Sequence, residues 1–561
     1  MDRCPRPTGS GAVDQSIALW RALAELGLRE AVLAPGSRSA PLIYALASEE
    51  MGERIRAHVR IDERAAAFTA LGLSRHDPTR PAAVLTTSGT ATAHLHAAVM
   101  EAHHSRIPLL VLTADRPAEL RDVGANQTTR QAGMFRSLVR LAADLPAPSG
   151  AQATPLELRT AVSTAARALA AATGGHPGPV HLNLSFRDPL VPRSGPSPAA
   201  ETRQRIVLTR RLGPTPPTPH PVPVDGRTVV VAGDGAGPAA AELAARHGLP
   251  LLAEPSSGAR RGETLIEGYP ALLREVMGDP RHALRPRRAI VFGHPTLSRP
   301  VVGALLGSED VDVVVVDPQL DWADAARRAR LVVPAAVGEE QGPVATAQRQ
   351  QHLQAWGEAA RTATAALPTS WQQRAAVAVW DASGPEDVLV LGSSSLVRDL
   401  EQHAGATSAR VIANRGLAGI DGTTAMAGGI ALGHRAPARG TAAGLDAGRV
   451  RLLIGDLTAL HDLTGLLIGP HEPRPALDVI VVDDGGGRIF SGLEHAEAPP
   501  ALLRRFFTTP HGADIAAAAA ALGAETLRVT PEALPGALAA PSAGLRVLVV
   551  QQIPSTDSTN S

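Results

Sequence analysis

A chain of 561 residues is longer than one hydrophobic core organises, and at roughly 150 residues per domain it predicts about three or four domains. Its 54 basic and 54 acidic residues cancel, which excludes a net field drawing the chain onto nucleic acid or a membrane surface. Every basic residue is arginine and lysine is absent, so a pyridoxal phosphate Schiff base, a P-loop lysine and a lysine general base are all excluded.

Codon bias in a GC-rich genome accounts for the missing lysine and for the excess of Ala, Gly, Pro and Arg. The one cysteine, Cys4, excludes disulfides within the chain, thiolate zinc sites and iron–sulfur clusters, and fits a reducing cytoplasm. Its place in an N-terminus read as disordered argues against a catalytic thiol. Met1-Asp2-Arg3-Cys4-Pro5-Arg6 lacks the apolar core of a signal peptide. No run reaches the roughly 18 apolar residues of a membrane span, and the longest candidate, Ile515 to Leu522, reads as a short alanine-rich helix. A cytoplasmic protein is expected.

Short β-branched runs alternate with helical stretches: Ala31-Val32-Leu33, Ala82 to Leu85, Pro108 to Leu112, Val229-Val230-Val231, Ala289-Ile290-Val291, Val311 to Val316, Val388-Leu389-Val390 and Leu545 to Val550. This is the rhythm of parallel sheets. The fold class predicted is α/β, with three doubly wound parallel-sheet domains at about 1–190, 225–365 and 368–553. A Pro-rich linker over 191–224 separates the first two, a polar helix holding Gln348 to Gln354 precedes the boundary near Pro368, and the tail 554–561 reads as disordered.

In the first domain, Ala34-Pro35-Gly36-Ser37-Arg38-Ser39-Ala40-Pro41 leads from strand to helix, where amides and Arg38 suit an anion. Arg60-Ile61-Asp62-Glu63-Arg64 precedes a helix expected over Ala65 to Leu73, which puts Glu63 at a strand end facing a cleft. Such a triplet is usually a charge cluster at a helix N-terminus. Thr86-Thr87-Ser88-Gly89-Thr90-Ala91, Thr113-Ala114-Asp115-Arg116-Pro117 and Gly124-Ala125-Asn126-Gln127-Thr128-Thr129-Arg130-Gln131 add three further polar loops. Together they argue for a site more strongly than any one does.

The middle domain offers Gly233-Asp234-Gly235-Ala236-Gly237 after a strand. As a dinucleotide fingerprint it fails, because the last glycine falls at Pro238 and no acidic residue is clearly placed for a ribose. In the third domain, Gly392-Ser393-Ser394-Ser395 ends a strand with Arg398 one turn into the next helix, and Ala413-Asn414-Arg415-Gly416-Leu417-Ala418-Gly419-Ile420-Asp421-Gly422 is a glycine-rich loop. Arg38, Arg116, Arg398 and Arg415 are either surface salt-bridge partners or converging carboxylate clamps, since a guanidinium fork matches a carboxylate bidentately.

Leu452 to Phe490 reads as a strand ending in Gly455-Asp456, a helix, and a second strand running into Asp483-Asp484-Gly485-Gly486-Gly487. Two carboxylates at the carboxyl ends of parallel strands form a clamp for a hard cation, and glycines let the backbone approach a phosphate. A magnesium-bound diphosphate is predicted.

From Ile17 to Val550 these motifs resemble those of thiamine-diphosphate enzymes, specifically the MenD family of menaquinone biosynthesis, 2-succinyl-5-enolpyruvyl-6-hydroxy-3-cyclohexene-1-carboxylate synthase. The resemblance implies a thiamine diphosphate cofactor with Mg2+, or Mn2+, held by Asp456, Asp484 and the carbonyl of Gly486. Gly455 and Ser394 would adjoin the cofactor, Ile420 would fold it, and Glu63 would hydrogen-bond its pyrimidine nitrogen as the catalytic acid–base partner. It implies decarboxylation of 2-oxoglutarate and 1,4-addition to isochorismate. Arg398 and Ser394 would take the succinyl carboxylate between Ile489 and Phe490. Ser37, Arg38, Arg116, Asn126, Gln127 and Arg415 would take isochorismate, and Arg299 is either a further contact or a surface charge. A homodimer at least, or a homotetramer, is implied, because glutamate and metal ligands come from different subunits. Asp484 departs from the general pattern, where asparagine is commoner. A pyruvate-type carboligase, a nucleotide or flavin protein and a noncatalytic homologue remain the alternatives.

Overall fold

Runs such as Val229-Val230-Val231 and Leu477 to Val482 are apolar on both faces, as strands sandwiched between helices must be. In the computed structural model, which describes residues 7–193, 206–340, 346–434, 448–542 and 544–552, they pair in parallel. Cys4, the tail 554–561 and part of the expected linker lie outside the described residues. The chain divides into two compact units.

The first unit comprises 1–214, 416–443 and 461–476. Its six-stranded sheet runs Arg56–Val59, Glu30–Ala34, Ala83–Thr86, Leu109–Asp115, Pro179–Ser185, Ala142–Leu145. Trp20, Leu19 and Leu23 from the helix Gly11–Glu25 pack in the same core as Leu158 and Val162 from the helix Pro155–Ala172. The helix Glu63–His76 packs on Thr423–His434. A Cβ on Gly72 would stand 2.0 Å from the Met426 carbonyl oxygen, and one on Gly429 2.1 Å from that of Thr69. Only glycine lets the two backbones approach so closely. This contact crosses the contiguous boundaries expected at 190 and 368, because the helices of 416–434 and 461–476 belong to the same unit as the N-terminal sheet.

The second unit comprises 215–415, 444–460 and 477–561. One sheet runs Ala329–Val333, Asp312–Val316, Arg288–Phe292, Thr228–Ala232, Leu251–Ala253; the other runs Arg410–Ala413, Val388–Leu391, Val450–Gly455, Leu477–Val482, Leu545–Val550, Glu525–Val529. The end of the expected linker is a strand instead. His220–Val224 pairs with Ala336–Glu340, and Val222 and Val224 are buried. Its prolines, 221 and 223, are tolerated because a two-stranded ribbon leaves one edge without ladder bonds. Gly233 and Gly293 serve close backbone contact: a Cβ on Gly233 would meet the Pro295 nitrogen at 2.1 Å, and one on Gly293 the Asp234 oxygen at 2.5 Å.

Candidate active site

Glu63 does not sit at a strand end. It is the first residue of the helix Glu63–His76, with Asp62 as N-cap accepting from the amides of Arg64 at 2.8 Å and Ala65 at 3.4 Å. The other Asp62 oxygen accepts from the Thr464 hydroxyl at 2.7 Å, and Arg64 donates to the His461 carbonyl at 3.0 Å. Burial alone would raise the Asp62 pKa; the Thr464 hydroxyl and the cap amides outweigh it and hold the carboxyl below its usual value. The charge-cluster reading therefore holds for Asp62 and Arg64. The Glu63 carboxylate, half-buried between them, makes no hydrogen bond or ion pair among the described residues.

In the same unit Arg116 donates to the Ser88 hydroxyl, and Arg38 to the Phe186 carbonyl at 3.0 Å. Neither guanidinium has an ion pair among the described residues. Desolvation, then the nearby charge of Arg38, lowers the Arg116 pKa. The charges of Asp115 and Asp188 offset this only in part, and two half-buried cations repelling each other favour an anionic ligand. Ser88 and Gln127 tie their loops together, the hydroxyl donating to the Gln127 carbonyl at 3.0 Å and the Gln127 amide to the Ser88 carbonyl at 2.9 Å. Buried Gln131 fixes the glycine between them, accepting from the Gly89 amide at 2.8 Å. Ser37 and Asn126 are exposed. Ile420 is half-buried in the loop before the helix Thr423–His434.

In the second unit, Asp456 opens the helix Asp456–His461 directly after the strand Val450–Gly455. Its Oδ2 accepts from the Gly486 amide at 2.7 Å and lies 3.2 Å from His511 Nε2. Asp456, Asp483 and His511 bring three potential ligand atoms within 4.8 Å of one another. Asp484 lies outside that group, accepting from Gln372 at 3.3 Å with Arg488 at 3.4 Å. Burial raises the pKa of Asp456, and burial with the Asp456 charge pushes Asp484 up to about 6. Gly485 has φ +81° and Gly486 φ +150°, and a Cβ on Gly486 would stand 2.3 Å from the Thr508 carbonyl oxygen. Beside them opens a cleft of about 420 Å³ lined by Gln372, Asp484, Gly486, Arg488, Arg504 and Thr508 among others. Phe490 packs against Phe507, with ring centroids 5.7 Å apart, and Ile489 is half-buried beside it.

Three arginines of this unit share a neighbourhood. Partial desolvation, then the charges of Arg415 and Arg299, lowers the Arg398 pKa. Arg398 and Arg299 make no hydrogen bond or ion pair among the described residues, whereas buried Arg415 donates to the Thr296 hydroxyl at 3.0 and 2.7 Å. The Ser394 hydroxyl caps the helix Ser395–His403 that carries Arg398, accepting from the Leu396 amide at 3.2 Å.

Comparison with known proteins fits this geometry. Residues 15–134 match the family model described as thiamine pyrophosphate enzyme, N-terminal TPP binding domain. A 2-succinyl-5-enolpyruvyl-6-hydroxy-3-cyclohexene-1-carboxylate synthase of Kineococcus radiotolerans is 46% identical over 94% of this chain and 93% of its own. Proteins of the same name from Leifsonia xyli and an Arthrobacter species are 44% and 42% identical, over 98% of this chain and 97% and 91% of theirs. The chain belongs to the MenD family.

For a MenD family member, some of these residues were legible only in part. The Gly455-Asp456 turn and the Asp483 to Gly487 loop both fall at strand ends, as predicted. His511 was missed, lying 55 residues beyond Asp456 in a loop with no strand or glycine signal before it. Asp483 lies in the same loop as Asp484, and strand alternation alone does not separate the two: Asp483 groups with Asp456 and His511, while the Asp456 charge also acts on Asp484. Gln372, from a helix with no motif, gave no signal at all.

Proposed function

We propose that this chain catalyses thiamine-diphosphate-dependent decarboxylation of 2-oxoglutarate and 1,4-addition of the four-carbon unit to isochorismate, giving 2-succinyl-5-enolpyruvyl-6-hydroxy-3-cyclohexene-1-carboxylate in menaquinone biosynthesis. The observation that carries this reading is the 46% identity, along nearly the whole of both chains, to a synthase of that name. The donor set of the second unit fits the cofactor's diphosphate and a divalent cation. Acidic side chains that repel one another call for a hard cation, and Gly485 and Gly486 at positive φ let backbone reach phosphate oxygens. Asp456, Asp484 and the Gly486 carbonyl would hold Mg2+ or Mn2+, with Gly455 and Ser394 beside the diphosphate.

Thiamine diphosphate, when bound, supplies a carbon nucleophile and an electron sink for decarboxylation. Glu63 would hold a proton at the pyrimidine nitrogen, a task for which its lack of other partners leaves it available. Ile420 would support the folded cofactor. Arg398 and Ser394 would take the succinyl carboxylate, with Ile489 and Phe490 walling the pocket. Ser37, Arg38, Arg116, Asn126, Gln127 and Arg415 would take isochorismate, joined by Arg299. Ile61 is 74% exposed and Val59 36%, both within four residues of Glu63. These exposed apolar side chains would be covered by a second copy in a homodimer, or in a tetramer built from it. No helix among the described residues is long and apolar enough to cross a membrane; a cytoplasmic location is part of the proposal.

The test is to supply thiamine diphosphate, Mg2+ and isochorismate with either 2-oxoglutarate or pyruvate and follow isochorismate absorbance. Loss of absorbance with 2-oxoglutarate is expected. Consumption with pyruvate in its place would sink the reading.

A further inference from the structure

Behind the three arginines of the second unit lies a glutamate that no motif marks. Glu254 follows the strand Leu251–Ala253 and is 1% exposed. Its Oε1 accepts from two successive backbone amides, those of Thr296 at 2.7 Å and Leu297 at 2.8 Å. Thr296 in turn accepts from Arg415 through its hydroxyl at 3.0 and 2.7 Å and through its carbonyl at 3.5 Å, and the same loop carries Arg299 three residues on. One buried oxygen thus fixes the backbone that positions one arginine directly and presents a second.

We propose that Glu254 is a positioning residue for substrate binding, setting the Thr296 loop so that Arg415 is held in place to receive an isochorismate carboxylate. The proposal rests on the functional reading above. What Glu254 contributes is an acceptor in a fixed place. Burial and the neighbouring Glu401 push its pKa up, and an oxygen that accepts from both amides is present whether the acid is neutral or charged. Surface glutamates seldom do this work: two adjacent amides need one oxygen in a fixed place, and a side chain free to rotate does not supply it. The neighbouring helix, which bears Arg398, is held as well, since Tyr269 donates at 2.5 Å to its Glu401.

Glu254→Leu removes the acceptor with little change in volume, and Glu254→Gln keeps it. With the full enzyme loaded with thiamine diphosphate and Mg2+, the leucine variant is expected to raise KM for isochorismate at least tenfold. KM for 2-oxoglutarate and cofactor affinity, read by circular dichroism titration, should stay within about threefold. The glutamine variant should restore KM to within about threefold of the parent. An unchanged isochorismate KM in Glu254→Leu, or a glutamine variant as impaired as the leucine one, overturns the proposal. If Glu254→Leu does not fold, Thr296→Val decides: it leaves the loop intact and removes only the hydroxyl that Arg415 uses, so KM should rise at least threefold, and no rise overturns the proposal. Arg415→Ala separates the two levels. If its isochorismate KM is unchanged, the substrate assignment itself fails; if it rises while Glu254→Leu and Thr296→Val stay at parental values, only the role of Glu254 fails.

Discussion

The Glu63 region and the Asp456 loop are both helix starts carrying carboxylates, yet they are held in opposite ways. Around Glu63 every other charge is satisfied within the protein: Asp62 is capped and bonded to Thr464, and Arg64 reaches the His461 carbonyl. Around Asp456 the acids are crowded and partly desolvated, so that Asp484 is pushed up to about 6. The first region balances its charges internally, whereas the second leaves like charges facing one another. Preorganisation in one place and electrostatic repulsion in the other are what the proposed roles, a proton-handling glutamate and a cation anchor, would need.

The comparison breaks most visibly if the anchor is removed. Asp456→Asn is expected to abolish turnover and saturable, Mg2+-dependent cofactor binding in a calorimetric titration; retained binding would mean that the acidic cluster is not the anchor. In Glu63→Gln turnover should fall at least about a hundredfold, the scale of acid–base assistance, while cofactor affinity changes little. Near-parental turnover would return Glu63 to being a helix-terminal charge. A sharper contrast comes from pH. An acid whose folded pKa lies above its unfolded value stabilises the fold most below the unfolded value, and that contribution is lost as pH rises through the folded one. For Asp484 the loss falls between about pH 4 and 6. The rise in thermal midpoint on adding Mg2+ should therefore grow by several degrees from pH 5 to 7.5, and should grow less in Asp484→Asn. A pH-independent increment would show that the cation is not relieving carboxylate repulsion. The smallest effect is expected at Thr464→Val, which removes one hydrogen bond to Asp62 at a cost of about 1 kcal/mol, measured by denaturant unfolding, with Glu63-dependent turnover lowered only modestly.

The sheets were legible because apolar strand runs bounded by turn residues are a local signal, and Leu477 to Val482 or Val229 to Val231 need no partner to be read. Asp456 and Gly486 were legible for the same reason, sitting where a strand stops. The triplet marks Glu63, but it places the helix start two residues late, since an aspartate cap looks like loop chemistry until the amides it accepts are known. His511, Gln372 and Glu254 were not legible, because each acts through a contact across dozens of residues or more that carries no period and no spacing. The packing of Thr423–His434 on Glu63–His76 was hidden similarly: Gly72 and Gly429 look like weak helix residues, and only the approaching carbonyls show why alanine would not fit.

That helix pair has a consequence for how the chain is made. The first unit needs 416–443 and 461–476, so its sheet emerges from the ribosome long before two of the pieces that cover it. An N-terminal fragment ending at the Pro-rich stretch would leave the Gly72 face of the helix Glu63–His76 bare, and neither unit can be cut out or exchanged as one continuous segment. Nascent chains should stay protease-sensitive near residues 63–76 until synthesis passes residue 476, which makes the helix that carries Glu63 among the last surfaces to be sealed.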